Sequence, residues 1–324
     1  MYTLLEAQNL IEKHIQTLSI PDTPPELYEP VRYVLSLGGK RIRPALVILS
    51  CDLFAGAVES ALIPAVAIEV FHNFTLVHDD IMDRSEIRRG QPTVHMKYNE
   101  NVGILSGDVM SILASRLINQ SPGVVLNTVH DVFTKTAMEV CEGQQMDMNF
   151  EDQLTVSGDE YMRMIELKTA VLIAASLKIG AILGGASQTD ADNLYEFGKN
   201  LGVAFQLQDD LLDTYGDQKV MGKQAGTDIV DNKKTFLMIR ALENASPDQK
   251  KELVNWLTNK HFEREEKVAA VTTIFNDLGI KELTEVRIRE FYDKALENLS
   301  HLNKPEERKT ELYNFASYLM NRNK

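Results

Sequence analysis

The chain has 324 residues, 44% of them hydrophobic and 25% charged, with a formal net charge of -13. This balance fits a globular chain with material for a sizeable core, and its sign argues against nucleic acid as the main partner, since phosphate backbones are met by basic patches. The two cysteines, Cys51 and Cys141, form no CxxC pair, which points to structural thiols in a reducing cytoplasm rather than to a disulfide framework or zinc site.

In chain order, apolar residues recur at i, i+3, i+4 and i+7 around 2–17, 26–37, 41–55, 59–83, 102–119, 123–150, 158–184, 189–213, 233–244, 247–258, 261–278, 280–298 and 305–322, which predicts a helix at each. Breaks fall at Pro21 to Pro25, Gly38-Gly39, Gly90 to Pro92, Ser121-Pro122-Gly123, Gly184-Gly185 and Gly216. The opening stretch is amphipathic and charged, without the apolar core of a secretory signal. No run of about 20 uncharged apolar residues predicts a membrane span. No alternation of period two predicts strands, and no Pro/Gly/Ser-rich linker divides the chain. The expectation is an all-α, single-domain helical bundle over residues 1–324. The segments 59–83, 123–150, 158–184 and 189–213 are long and apolar on more than one side, as central helices are.

One acidic pattern occurs twice inside these apolar helices. Asp79-Asp80-Ile81-Met82-Asp83 and Asp209-Asp210-Leu211-Leu212-Asp213 are both Asp-Asp-x-x-Asp boxes. Burying an unpaired carboxylate costs several kcal/mol, on the order of a large share of domain stability, so a chain that does it twice is expected to bind something positive there. Hard divalent cations such as Mg2+ take oxygen ligands and bridge carboxylates to substrate phosphates. Residues four apart share a helix face, so Asp79 aligns with Asp83 and Asp209 with Asp213, while Asp80 and Asp210 sit about 100° round and serve as further ligands or as acceptors behind them. Two such boxes facing each other across a cavity could hold one diphosphate between metal ions. The alternative is a solvated acidic face at a helix end.

Basic groups accompany the boxes. Gly38-Gly39-Lys40-Arg41-Ile42-Arg43-Pro44 packs cations into a Gly-bounded turn that opens a helix, a ready anion site. Arg88-Arg89-Gly90 follows the first box, and Arg offers fixed, bidentate hydrogen bonds to phosphate. His72 lies seven residues before Asp79 on the same face. Lys168-Thr169 interrupts an apolar helix, Gln206 precedes Asp209 by one turn, and Lys223 and Lys233 follow the second box.

With GGKRIRP at 38–44, HDDIMD at 78–83, RRG at 88–90, GQxxD at 143–147, KT at 168–169, FQLQDDLLD at 205–213 and the GK, GTD and K of 222–233, the chain resembles the trans-type polyprenyl diphosphate synthases of the farnesyl/geranylgeranyl class. The resemblance implies an all-α fold around a central cavity, a homodimer, and head-to-tail condensation of isopentenyl diphosphate with an allylic diphosphate. It implies Mg2+ at Asp79 and Asp83 with Asp80 in support, a third Mg2+ at Asp209, and Asp213 acting behind it or through water. Arg88, Lys168, Gln206, Lys223 and Lys233 would contact the allylic diphosphate. Lys40, Arg43, His72 and Arg89 would bind isopentenyl diphosphate, and Thr169 with Gln206 would face the carbocation. A bulky aromatic five residues before the first box acts in the family as a floor for the growing tail. Phe74 holds that position, with Thr75 after it and Phe71 roughly 12 Å along the helix from Asp79. This implies a short-chain product, C15 or C20, with the small Thr75 favouring C20. The competing readings are a farnesyl (C15) synthase, a class I terpene cyclase and a catalytically silent partner subunit.

Overall fold

A computed structural model describes residues 1–153, 155–216 and 225–321 of the chain. The described residues form two compact units. The first comprises Met1–Thr136, Ala175–Tyr195 and Leu302–Leu312; the second comprises Ala137–Ala174, Glu196–His301 and Tyr313–Lys324.

The first unit is built on α1 (Leu4–Gln16), α2 (Pro25–Ser36), α3 (Ile42–Leu53), α4 (Val58–Met82), α5 (Val94–Lys97) and α6 (Glu100–Ile118). Local chemistry explains the starts. Thr3 and Glu6 form a capping box at α1, Pro25 opens α2 where a missing N–H costs nothing, and Asn99 caps α6 through the Val102 amide. The α4 helix is apolar nearly all round, and Ala61, Ala65, Ala67 and Ile68 are fully buried. Its expected end at 83 holds within a residue, with Asp83 as the cap. By length and composition α4 and α6 could each cross a membrane, but the apolar window of α4 is mostly buried within the protein. The sequence predicts no strand, yet β1 (Ile87–Arg88) and β2 (Gln91–Pro92) pair as a tiny hairpin. The turn between them needs positive φ at both central residues, and Arg89 (54°) and Gly90 (74°) supply it.

The second unit contains most of α7 (Leu126–Glu151), α8 (Gly158–Ile165), the 196–215 part of α10 (Gln188–Tyr215), α11 (Thr227–Val230), α12 (Phe236–Asn244), α13 (Pro247–Thr258), α14 (Arg264–Asp277) and α15 (Ile280–Ser300). Helices α9 (Val171–Leu183) and α16 (Glu306–Met320) contribute residues to each unit. The core of the second unit gathers Tyr161, Leu207, Phe236, Phe275 and Ile280. The single helix expected over 158–184 is instead interrupted: residues Glu166–Ala170 form a π turn between α8 and α9. Such turns widen a helix by one residue and gather at functional sites. Lys233, expected within a helix, lies before α12.

Candidate active site

In the first unit a cluster of arginines surrounds one buried carboxylate. Arg41 takes φ 44°, in the left-handed region, and is 4% exposed. Its Nε donates to Glu12 at 3.0 Å, its Nη1 to Glu69 at 2.6 Å and its Nη2 to the Leu35 carbonyl at 2.7 Å. Arg41 therefore ties the turn to the core, and Lys40 and Arg43 flank it. Lys40 is exposed, and its carbonyl accepts from Gln8 Nε2. Arg43 Nη1 stands 3.3 Å from His72 Nε2, and Arg43 Nε is buried with no hydrogen-bond partner. Burial, and then the charges of Arg43, Arg89, Arg88 and Arg41, push the His72 pKa well below its usual value. His72 is thus neutral at pH 7 and accepts from Arg43. Burial likewise lowers Arg43 and Arg89, against the pull of Glu69. Arg89 donates to the Gly38 carbonyl and, at 3.4 Å, to Asn73 Oδ1. Gly39 has φ 140°, and a Cβ there would meet the Arg89 guanidinium at 2.9 Å. Arginines crowded around a single buried glutamate, in desolvated surroundings, form a site for a multiply charged anion.

The first box follows on α4. Arg88 grips Asp80, with Nε 2.8 Å from both carboxylate oxygens and Nη2 2.7 Å from Oδ1; Nη2 is also 3.8 Å from Asp79. Burial still raises the Asp80 pKa above the usual carboxylate value, with Arg88 opposing. Below the box, Phe74 stacks edge-on with His78 at 4.9 Å and tilts against Phe71 at 5.4 Å; Phe71 meets Phe133 at 5.4 Å. Phe71 is 2% exposed, a core residue, while Phe74 and Thr75 are half-buried. Thr75 Oγ1 donates to the His72 carbonyl.

In the second unit the π turn presents Lys168 and Thr169. Lys168 Nζ donates to Asp147 at 2.5 Å, and Thr169 Oγ1 to Gln206 Oε1 at 3.1 Å. Gly143 allows this, because a Cβ there would run into the backbone of Lys168. Gln206 Nε2 then donates to Asp210 Oδ1 at 3.2 Å, and Tyr161 donates its hydroxyl proton to Asp210 Oδ2. Asp210 is 2% exposed, and burial pushes its pKa up to about 7, although Lys233 and the Tyr161 hydrogen bond pull down. Asp213 Oδ2 accepts from the Asp228 amide at 2.9 Å, and Lys233 Nζ lies 3.7 Å from Asp228. Burial raises Asp228 to about 6. Lys223 and residues 322–324 lie outside the described residues.

The donor set fits Mg2+. Both boxes supply only hard carboxylate oxygens, and both stand in the last turns of helices, where the macrodipole disfavours anions and favours a cation. Among the described residues no three His, Cys, Asp or Glu side chains converge on one point. The protein would thus give each ion one or two ligands and leave the others to phosphate and water, as Mg2+ sites usually do.

Glu69, Tyr161 and Asp228 are among the groups in these clusters that carried no role in the sequence reading. Glu69 had a usable signal, a charge within the apolar run AVAIEVF. Asp228 stood within the quoted GTD. Nothing in the local sequence marks Tyr161.

The polyprenyl synthetase family profile matches residues 24–275. The geranylgeranyl diphosphate synthase of Sulfolobus acidocaldarius is 43% identical over 254 residues, 77% of each chain. The geranylfarnesyl diphosphate synthase of Aeropyrum pernix is 36% identical over 308 residues, covering 93% of this chain and 95% of its own. Among solved structures, a geranylgeranyl pyrophosphate synthase superposes with a TM-score of 0.95 at 41% identity and covers 100% of both chains.

Proposed function

The chain belongs to the polyprenyl synthetase family, and from that premise we propose that it condenses isopentenyl diphosphate head-to-tail with an allylic diphosphate to give geranylgeranyl diphosphate (C20). The observation that carries the reading is the Arg43, His72 and Arg89 cluster, a desolvated anion site on the same unit as an Asp-Asp-x-x-Asp box. It suits isopentenyl diphosphate, with Lys40 at its exposed edge.

Asp79 and Asp83 would hold Mg2+ with Asp80 in support, and Asp209 would hold a third ion with Asp213 behind it or acting through water. When bound, Mg2+ neutralises charge on the departing diphosphate. Lys168 and Lys233 would donate to that diphosphate as its C–O bond breaks, which is electrostatic stabilisation of developing charge, and Arg88 would bind phosphate beside the first box. The Thr169 hydroxyl and the Gln206 amide oxygen turn their negative ends toward the allylic cation. Apolar helix walls keep water from quenching it. The double bond of isopentenyl diphosphate attacks the cation, and the proton then lost goes to the departing diphosphate, since no side chain among the described residues is placed as a base.

The C20 length is supported by the geranylgeranyl synthases among the relatives and by Phe74, half-buried beneath the first box with the small Thr75 beside it. A homodimer is supported by α6, where Leu105 is 59% and Ile112 68% exposed, two turns apart on one face. The deciding experiment is incubation of the pure protein and Mg2+ with isopentenyl diphosphate and each allylic primer, with product lengths read by mass spectrometry. Consumption of isopentenyl diphosphate with a C20 product supports the reading. A protein that cyclises an allylic diphosphate without consuming isopentenyl diphosphate, or does nothing alone, refutes it.

A further inference from the structure

Lys267 is a lysine with 0% exposure, on α14, outside every motif of the sequence. Its Nζ donates to the Val230 carbonyl at 3.1 Å and to Asn232 Oδ1 at 2.6 Å, and lies 4.1 Å from the centre of the Phe262 ring. Burial lowers its pKa below the usual lysine value, and Asp231 opposes this. Fully burying an ammonium is costly, so its position demands a reason beyond filling space, which an apolar chain would do more cheaply.

The two acceptors show what it grips. Val230 is the last residue of α11, whose carbonyl has no partner within the helix, and a cation there also meets the negative end of the dipole. Asn232 follows at φ 58°, a left-handed residue that turns the chain. The next residue is Lys233, whose amide donates to the Asp228 carbonyl at 2.9 Å. Asp228 in turn donates its amide to Asp213 of the second box. One turn before Lys267, Arg264 reaches the Ala225 carbonyl at 3.2 Å and Thr227 Oγ1 at 3.3 Å. Helix α14 thus holds the front of this segment with one cation and the back with another.

We propose that Lys267 is a positioning residue: its buried ammonium, bonded to Val230 and Asn232, fixes the 225–233 segment and so sets Lys233 and Asp228 beside Asp213. The role deepens the proposed activity and rests on it, because Lys233 is read there as a contact of the allylic diphosphate. Lys267 itself touches no substrate.

The test is Lys267→Met, which keeps length and removes charge and hydrogen bonds, with Asn232→Gly as a second variant that suits the left-handed backbone and removes one acceptor. For a folded Lys267→Met protein we expect about a tenfold loss in kcat, a raised KM for the allylic diphosphate and weaker inhibition by inorganic pyrophosphate. The KM for isopentenyl diphosphate should stay within about twofold. Asn232→Gly should move the same constants less, and the double variant should add little to Lys267→Met. A purely structural role would lower Tm and scale both substrates together, and that result overturns the proposal. Amide hydrogen exchange over 227–233 is read in parallel and needs no activity. If wild type consumes no isopentenyl diphosphate, the proposed reaction fails, while unchanged exchange in Lys267→Met independently overturns the positioning role.

Discussion

Asp80 and Asp210 occupy the same place in two copies of one pattern, and both are buried, yet they are held in opposite ways. Asp80 faces a guanidinium that takes both its oxygens. Asp210 faces neutral donors, the Tyr161 hydroxyl and the Gln206 amide. Burial raises the pKa of both; the Arg88 guanidinium opposes this at Asp80, whereas at Asp210 burial outweighs Lys233 and the neutral donors and the pKa rises to about 7. The outer aspartates differ too. Asp83 caps the end of α4 and is exposed, whereas Asp213 lies within α10 and is tied to the Asp228 amide. The first box is an open rim set beside its own arginine; the second is woven into a hydrogen-bonded network. Sequence symmetry at i, i+1 and i+4 therefore says little about electrostatic symmetry.

The largest expected effect tests what the boxes share. Asp79→Ala and Asp209→Ala should each lower turnover on the order of a thousandfold, the scale of losing a group that stabilises transition-state charge, with helical circular dichroism retained. If one folded variant kept near-normal turnover, only the other box would hold metal, and the comparison would break at its root.

The next effect separates the inner aspartates. In metal-free protein, Arg88→Met should cost about 2–3 kcal/mol by denaturant titration, because it strands a buried charge; partial exposure of Arg88 keeps this at the low end for such pairs. Tyr161→Phe should cost about 1 kcal/mol, since Gln206 still donates and the carboxyl can remain protonated. Equal costs would mean that Asp210 is charged like Asp80.

A smaller effect follows from pH. The folded state holds the Asp210 proton up to about pH 7, whereas the unfolded chain releases it near 4. The folded state therefore binds more protons, so the stability from this group is full below about pH 4 and is lost as pH rises through 7. In metal chelator, Asp210→Asn should flatten the fall in Tm between pH 5 and 8. Asp228, also raised, adds a fall of the same sign to wild type and variant alike. Asp80→Asn should instead lower Tm across the range by stranding Arg88. An unaltered slope in Asp210→Asn would refute the assignment.

The last difference lies five residues before each box, where the first has Phe74 and the second Ala204. Phe74→Ala makes the two alike and removes the ring beneath the first box. Products under excess isopentenyl diphosphate should then be at least one isoprene unit longer by mass spectrometry, at some stability cost from the cavity. Phe71→Ala should add to this only through its contact with Phe74. An unchanged length in an active Phe74→Ala enzyme would place the floor elsewhere.

Much of this was legible in the sequence because helical period and charge placement are local signals. The helices of 247–258 and 280–298 and the ends of α4 and α6 stand within a few residues of their expected places. The boxes, the Gly-bounded turn and the Lys168-Thr169 pair were visible as charge or polarity set in apolar runs. What could not be read were pairings between distant residues. Arg41 looked like Lys40 and Arg43, yet Glu12 and Glu69 take it into the core. Tyr161 finds Asp210 across 49 positions and Lys267 finds Asn232 across 35, and neither carries a local mark. The hairpin at 87–92 was hidden because Arg89 is a poor announcement of a left-handed turn.

The π turn at 166–170 makes the reading frame of side chains, rather than their identity, the thing this segment must preserve. Each residue added to or taken from a helix rotates all that follow by about 100°. A surface loop absorbs such length changes readily. Here, one residue lost between Glu166 and Ala170 would close the turn back to an ordinary helix and swing the Lys168 and Thr169 directions away from Asp147 and Gln206. The segment can vary by substitution but not by length. Among descendants of this chain, insertions and deletions should therefore be absent from 166–170 even where the residues themselves drift.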